Sequence, residues 1–324
     1  MKKRSDLLLL IALLCVQLHW GQQYYTIKDA DDKTAVSYAT ISFGNGNGIF
    51  ADAQGRFIFS KKIYKDIDSL YISAIGYKDL KISTQNIPAS LVIQKDIAQL
   101  QEVIVTTEKY RKYKVRKKGA ILHDNYFTSW LPTVESEIAV FFAKEYNKPT
   151  KIAAVYLPLL LDEARKGGKK TQFSTLFKMQ FYENLKGAPG KRLFYDDIIF
   201  RVTHDDKATF ELNIEEHKVF MPPNGFFIAI QVLGYTDKKG GLQHTKKYHE
   251  VETRKGLVKI STTFRPLLPF TNKIAGHTTF TRRIFYKNKT WQRFDKNYSD
   301  TNGLINKGFM NYGMGLKLHV MEPL

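Results

Sequence analysis

His319 and Glu322 have the H-x-x-E spacing, in which two side chains can supply zinc ligands. A catalytic zinc needs three protein ligands and one open position, and no histidine follows Glu322 in the sequence. The chain also lacks the G-x-S-x-G sequence of a serine nucleophile elbow and the glycine-rich phosphate loop that ends in Lys-Ser/Thr. We therefore expect no catalytic residues, no metal and no cofactor, and a protein that is not an enzyme.

Aspartates occur in three groups whose hard oxygens could bind calcium. These groups are the cluster Asp29, Asp31 and Asp32, the pair Asp196-Asp197 and the pair Asp205-Asp206. Calcium loops usually alternate several carboxylates with glycine, and that pattern is missing here. The simpler interpretation is that these residues lie at solvated strand ends and turns.

Trp130 and Trp291 could stack on sugar rings and so bind a carbohydrate. In a chain with 13% aromatic residues, the alternative is that both rings belong to a hydrophobic core.

The N-terminus has the pattern of a secretory signal peptide, which we place at residues 1–22. Three basic residues, Lys2, Lys3 and Arg4, precede an apolar run from Leu7 to Leu18 that is too short to span a membrane. The single cysteine, Cys15, lies in this run, so the exported chain would have no disulfide. No later run reaches the length of a transmembrane segment. We expect export to the periplasm or the outer-membrane periphery, with the cell surface as second choice.

Positive charge is concentrated in the second part of the chain, whose overall net charge is +19. Residues 23–105 contain nine basic and nine acidic residues, whereas residues 106–324 contain 38 basic and 21 acidic residues. The switch is abrupt, because seven of the ten residues from Lys109 to Lys118 are basic. An abrupt change in composition beside a charge run predicts a linker at 106–120 between two domains.

The basic run is either a solvated linker or a strip that contacts a polyanion. The side chains that would make this contact are Lys109, Arg111, Lys112, Lys114, Arg116, Lys117 and Lys118. Tyrosines between the cations could also suit single-stranded nucleic acid, but export argues against that partner.

Residues 23–105 predict a small β-sandwich. Val36–Phe43 alternates in the period-two pattern of a strand, Gly44–Gly48 predicts a hairpin turn, and Asp52–Gly55 predicts a tight turn with Gly55 at positive φ. Further short strands are predicted at Ser69–Ser73, Leu91–Ile93 and Val103–Val105, without any helical run.

The segments Asp52–Phe57, Ile72–Tyr77 and Leu100–Val105, in this order, resemble the carboxypeptidase-regulatory-like domain of exported Bacteroidetes proteins. The resemblance implies a seven-stranded prealbumin-like sandwich that serves structure and interaction and has no catalytic role of its own. The same module opens many TonB-dependent receptors, but residues 106–324 are too few for a plug and a 22-stranded barrel.

Residues 121–324 predict a larger, jelly-roll-like β-sandwich of unknown function. Strands are expected at 137–143, 151–157, 175–182, 193–202, 209–214, 226–233 and 314–321, with a loop at 184–192 and a helical turn at 162–165. The chain is thus expected to be all-β: a signal peptide and two β-sandwiches.

We expect an exported, non-enzymatic binding or structural protein of the cell envelope. Its expected partner is an anionic glycan, lipopolysaccharide or an outer-membrane protein, and not nucleic acid. The alternatives are an accessory protein of a TonB-dependent transporter and an enzyme of unrecognised class.

Overall fold

A computed structural model describes residues 24–96, 112–161, 172–193, 198–243, 245, 248–253, 256–299 and 302–322. These residues form an almost entirely β structure, which confirms the predicted fold class. The predicted signal peptide, the strand Val103–Val105 and the helical turn at 162–165 lie outside the described residues.

Seven strands build the first sandwich. They are β1 (Tyr24–Asp29), β2 (Thr40–Ser42), β3 (Gly48–Phe50), β4 (Arg56–Ile58), β5 (Ser69–Ser73), β6 (Leu80–Ser83) and β7 (Ser90–Ile93). One sheet has the order β4-β1-β7, with β1 antiparallel to β4 and parallel to β7, and the other has the order β3-β2-β5-β6. Alternate residues of these strands, such as Ile27, Ile41 and Leu70, are fully buried between the two sheets. The strand predicted at Val36–Phe43 is shorter in the structure, where only Thr40–Ser42 pairs as β2.

The turn at Asp52–Gly55 has the predicted conformation. Gly55 has a φ of +68°, and a Cβ there would lie 2.7 Å from the carbonyl oxygen of Ile27. The Asp52 carboxylate accepts the backbone N–H groups of Gln54 and Arg56 at 2.9 and 2.8 Å. Aspartate and glycine thus have separate tasks here, since one binds the turn's N–H groups and the other supplies the left-handed backbone.

Sixteen further strands of the described residues belong to the second part of the chain. They are β8 (Lys112–Lys118), β9 (Ser129–Trp130), β10 (Ser136–Phe142), β11 (Thr150–Pro158), β12 (Ser174–Leu185), β13 (Ala188–Arg192), β14 (Ile198–Thr203), β15 (Thr209–Asn213), β16 (Phe226–Tyr235), β17 (Tyr248–Thr253), β18 (Gly256–Ser261), β19 (Leu268–Thr271), β20 (Thr279–Arg283), β21 (Gln292–Arg293), β22 (Asn311–Tyr312) and β23 (Gly315–Glu322). Short 3-10 turns at Tyr126–Thr128 and Glu215–His217 and a one-turn helix, α1 (Gly303–Asn306), complete the described elements.

The second sandwich packs a large sheet against smaller ones. The large sheet has the order β13-β12-β16-β10-β20-β21, with β14 also paired to β12. A four-stranded sheet has the order β15-β11-β23-β8, a three-stranded one β22-β19-β9, and β17 and β18 form a separate hairpin. One continuous core joins the inward faces of these sheets, with Val140, Phe181 and Ile228 from the large sheet and Val155 and Leu316 from the four-stranded one.

Two predicted boundaries are wrong. Residues 184–192 were expected to be a loop, but β12 continues to Leu185 and Ala188 begins β13, so only Lys186 and Gly187 make the turn, both at positive φ. The linker expected at 106–120 contains β8, because the backbone of Lys112–Lys118 pairs with β23 along its whole length. Cations far outnumber apolar residues in this strand, so its charge hides its alternation.

The two sandwiches contact each other through the segment that follows β20. Phe285 is fully buried and its ring lies 5.4 Å from that of Phe50 of β3. The carbonyl oxygen of Phe285 also accepts hydrogen bonds from Ser42 Oγ at 2.8 Å and from the Gly46 N–H at 3.0 Å. These contacts connect the glycine-rich hairpin turn of the first sandwich directly to the second.

Candidate functional site

The basic strand β8 is the last strand of its sheet among the described residues. Its partners on β23 run antiparallel from Lys112 opposite Glu322 to Lys118 opposite Leu316. All seven of its residues are exposed, and five of them are cations. A strand of this length extends over roughly 20 Å, so its cations form an extended row along one edge of the protein.

The cations of β8 lie mainly on one side of the strand. Lys112, Lys114, Arg116 and Lys118 alternate with Tyr113, Val115 and Lys117, and residues two apart in a strand share a face. Their spacing along the row is about 7 Å. This regular spacing suits a polymer that carries repeated negative groups.

Most of the charge on β8 is not neutralised by neighbouring acids. Lys114 pairs with Glu322 and Lys118 pairs with Glu145, both at 3.6 Å with most of the lysine side chain exposed. Within the described part of the chain, Arg116 and Lys117 form no ion pair. Exposed pairs at such distances are weak and easily exchanged. Lys109 and Arg111, the other two predicted contacts, lie outside the described residues.

The opposite side of β8 is attached to the sheet by an aromatic contact. The Tyr113 ring stacks on the ring of His319, with 3.9 Å between centroids and 14° between planes. His319 is buried, and burial lowers its pKa, although Glu215 lies 3.3 Å from Nδ1. Glu215 in turn accepts a hydrogen bond from Lys151 Nζ at 3.1 Å, which lowers the pKa of this carboxyl.

His319 and Glu322 do not form a zinc site. Both lie in β23, where residues three apart point to opposite faces of the sheet. The same spacing occurs at His249 and Glu252, which lie in β17 and are separated in the same way. Among the described residues, no group of three or more His, Cys, Asp or Glu side chains is placed to hold a metal ion.

The aspartate clusters have structural partners. Asp29 is buried and accepts hydrogen bonds from the Tyr77 hydroxyl at 2.7 Å and the Asp31 N–H at 2.7 Å, and it pairs with Lys95 at 3.0 Å. These hydrogen bonds hold its pKa well below the usual range despite its burial. Asp206 Oδ2 accepts the N–H and the hydroxyl of Thr203 at 2.7 and 2.9 Å, so it closes a turn. Asp196 and Asp197 lie outside the described residues.

Neither tryptophan presents a free ring face of the kind that sugar stacking needs. Trp130 is stacked on Phe270 at 5.7 Å and has Phe294 edge-on at 5.2 Å. Trp291 has the Arg282 guanidinium 4.4 Å from its ring centroid and Tyr182 edge-on at 5.3 Å. Both rings therefore pack against protein side chains, as the core alternative expects.

A buried polar cluster on the large sheet was not recognised in the sequence. Arg282 Nε and Nη2 both lie 2.7 Å from Glu137 Oε2, and Arg282 Nη2 also donates to the Tyr182 hydroxyl at 2.6 Å. Burial raises the pKa of Tyr182 to about 12. The signal was present, since Glu137 interrupts an apolar strand, but its partner lies 145 residues away in β20.

A cleft of about 500 Å³ lies between the two sandwiches. The first sandwich contributes Tyr24, Tyr38, the Asp52–Gln54 turn and Arg56, and the second contributes the segment Gly240–Gln243. Asp52 and Arg56 pair with each other at 2.9 Å. Burial, followed by the charge of Asp52, raises the pKa of Tyr38. The cleft is thus lined by tyrosine rings, glutamine amides and charges that are partly paired.

Comparison of the chain with protein-family models, with curated proteins and with solved structures gives no match. In the part of the chain that the structure describes, no helix is long and apolar enough to cross a membrane.

Proposed function

We propose that this protein is a non-enzymatic binding protein of the cell envelope that holds an anionic glycan along β8. The observation that supports this proposal is the continuous exposure of a strand in which five of seven residues are cations. A paired strand holds these cations at fixed spacing, so a polyanion can bind without ordering a flexible linker first. The resemblance of the first sandwich to an interaction module, and export by a signal peptide, belong to the same proposal.

The test compares ligands that differ in the source of negative charge. The purified protein is titrated calorimetrically at low salt with polygalacturonate, which carries carboxylates, with lipopolysaccharide, which carries phosphates, and with neutral dextran. We expect binding to one or both anionic polymers and none to dextran. Binding to dextran as strong as to the polyanions would contradict the proposal.

A charge-matched pair of variants locates the site. Lys114→Gln/Arg116→Gln/Lys117→Gln removes three charges from β8, and Lys65→Gln/Lys78→Gln/Lys81→Gln removes three exposed charges from the first sandwich. We expect the first variant to weaken binding at least tenfold and the second to change it less than twofold. Equal losses would show that net charge, and not β8, determines binding.

The cleft between the sandwiches supports the enzyme alternative, because ligand pockets of this size commonly lie between domains. If a small substrate binds there, Tyr38 and Gln54 should contact it. A library of small polar metabolites that leaves the melting temperature unchanged would remove the reason to pursue this alternative.

A further inference from the structure

The hairpin formed by β17 and β18 stands apart from the sheets of both sandwiches. Its two strands pair with each other over six positions, from Tyr248 opposite Ser261 to Thr253 opposite Gly256, and with no other described strand. Leu257, Val258 and Ile260 are 71%, 43% and 43% exposed. An isolated two-stranded hairpin is only marginally stable in water, and exposed strand edges readily pair with other strands.

The two faces of this hairpin differ in chemistry. One face carries Glu250 and Glu252 from β17, with Lys259 opposite Glu250. The other face carries Val251 of β17, with Val258 and Ile260 of β18. Within the described residues neither Glu250 nor Glu252 forms an ion pair. The hairpin thus has an acidic edge strand with an apolar reverse side.

The basic strand β8 has the same alternation with the opposite charge. Lys114 and Arg116 lie on one face of β8, and Tyr113 and Val115, which are 50% and 46% exposed, lie on the other. Like β17, β8 pairs on one side only among the described strands. The chain therefore contains two edge strands whose patterns of charged and apolar residues are complementary.

We propose that β17 of one copy pairs antiparallel with β8 of a second copy and so extends the four-stranded sheet across two molecules. With Val251 placed opposite Val115, Glu252 lies opposite Lys114 and Glu250 lies opposite Arg116. Residues directly opposite in a sheet have their Cβ atoms about 4.5–5.5 Å apart, so both ion pairs form while the apolar residues meet on the reverse face. A shift by one residue would place the glutamates against Val115, which fixes the register.

The second copy is the expected partner because each molecule carries both strands. The contact joins different surfaces of the two molecules, so it generates chains or closed rings and not a two-fold dimer. It shares β8 with the proposed glycan site but does not depend on glycan binding. The glutamates of β17 serve only the self-association, which keeps the two proposals separable.

Charge reversal tests the pairing. We expect the purified protein to associate reversibly in sedimentation velocity at low salt, and both Glu250→Lys/Glu252→Lys and Lys114→Glu/Arg116→Glu to sediment as monomers with unchanged circular dichroism. An equimolar mixture of the two variants should associate again, because each reversed strand then meets an opposite charge. A protein that stays monomeric, variants that still associate, or a mixture that stays monomeric would overturn the proposal.

Cysteine pairs test the register. A Val115→Cys chain mixed with a Val251→Cys chain should form a mixed disulfide at least tenfold faster than a Val115→Cys chain mixed with Glu250→Cys, whose thiol lies on the opposite face. Equal rates would contradict the register. Failure of the proposed function is distinguishable, because Glu250→Gln/Glu252→Gln should abolish association while polygalacturonate binding is retained.

Discussion

Tyr113 of β8 stacks on the buried ring of His319, with 3.9 Å between the ring centroids. The contact fixes the basic strand to the sheet, because the remaining side chains of β8 are exposed and hold it only through charge and backbone pairing. It also makes the anchoring of the proposed glycan site sensitive to the protonation of one histidine.

This sensitivity predicts a pH effect. Burial lowers the pKa of His319, so the unfolded chain binds the proton more readily than the folded protein. Its contribution to stability is therefore complete above the unfolded pKa near 6.5 and is lost as the pH falls below that value. His319→Phe keeps a ring for Tyr113 but does not titrate. Urea unfolding at pH 7.5 and 5.5 should show a larger loss of stability in the parent protein than in the variant, and equal losses would show that His319 is not the group responsible.

Gly55→Ala should lower the free energy of unfolding by about 1–3 kcal/mol. The added Cβ would lie 2.7 Å from the Ile27 carbonyl oxygen, and φ is +68°, so neither the space nor the backbone suits alanine. Gly119→Ala is the matched control, because nothing lies within 4 Å of its Cβ position. Chemical denaturation of both variants measures the difference, and similar stabilities would refute the role given to this turn.

Arg282→Met should cost roughly 3–5 kcal/mol, because it leaves the buried Glu137 carboxylate without its cation. The double variant Glu137→Met/Arg282→Met removes both charges and should recover much of this loss. A double-mutant cycle from urea unfolding gives the coupling energy. A double variant that is less stable than Arg282→Met would show that the pair stabilises this sheet in a way that apolar packing cannot replace.

Phe285→Ala should destabilise the contact between the sandwiches by about 3–5 kcal/mol, since the ring is fully buried against Phe50. Phe127→Ala is the control, because Phe127 is 73% exposed. Thermal unfolding followed by calorimetry should show the loss only for Phe285→Ala. An unchanged transition would indicate that the two sandwiches do not stabilise each other through this residue.

The sequence was informative where alternation coincides with burial. Thr175–Tyr182 and Phe226–Leu233 were predicted as strands because their apolar residues recur with the period of a sheet, and both lie in the centre of the large sheet. Local turn chemistry was equally readable, since the requirement for glycine at position 55 depends on its immediate neighbours.

The sequence failed where the deciding contact is distant. Nothing near Lys112–Lys118 shows that β23, some 200 residues later, supplies a partner for this basic run. The same reason hid the Glu137–Arg282 pair and the packing of Trp291 beneath Arg282. The acidic hairpin was missed because its alternating glutamates and valines are short and adjoin a lysine-rich segment.

Salt dependence tests the central proposal most directly. The dissociation constant of the purified protein for polygalacturonate should be measured from 25 to 300 mM salt, together with the variants Lys114→Gln/Arg116→Gln/Lys117→Gln and Lys65→Gln/Lys78→Gln/Lys81→Gln. Ions screen charges over about 8 Å at physiological ionic strength, so binding by an exposed row of cations must weaken steeply as salt rises. We predict a steep slope for the protein and the second variant and a clearly shallower slope for the β8 variant. The same slope for all three proteins, or binding that does not change with salt, would contradict polyanion binding at β8.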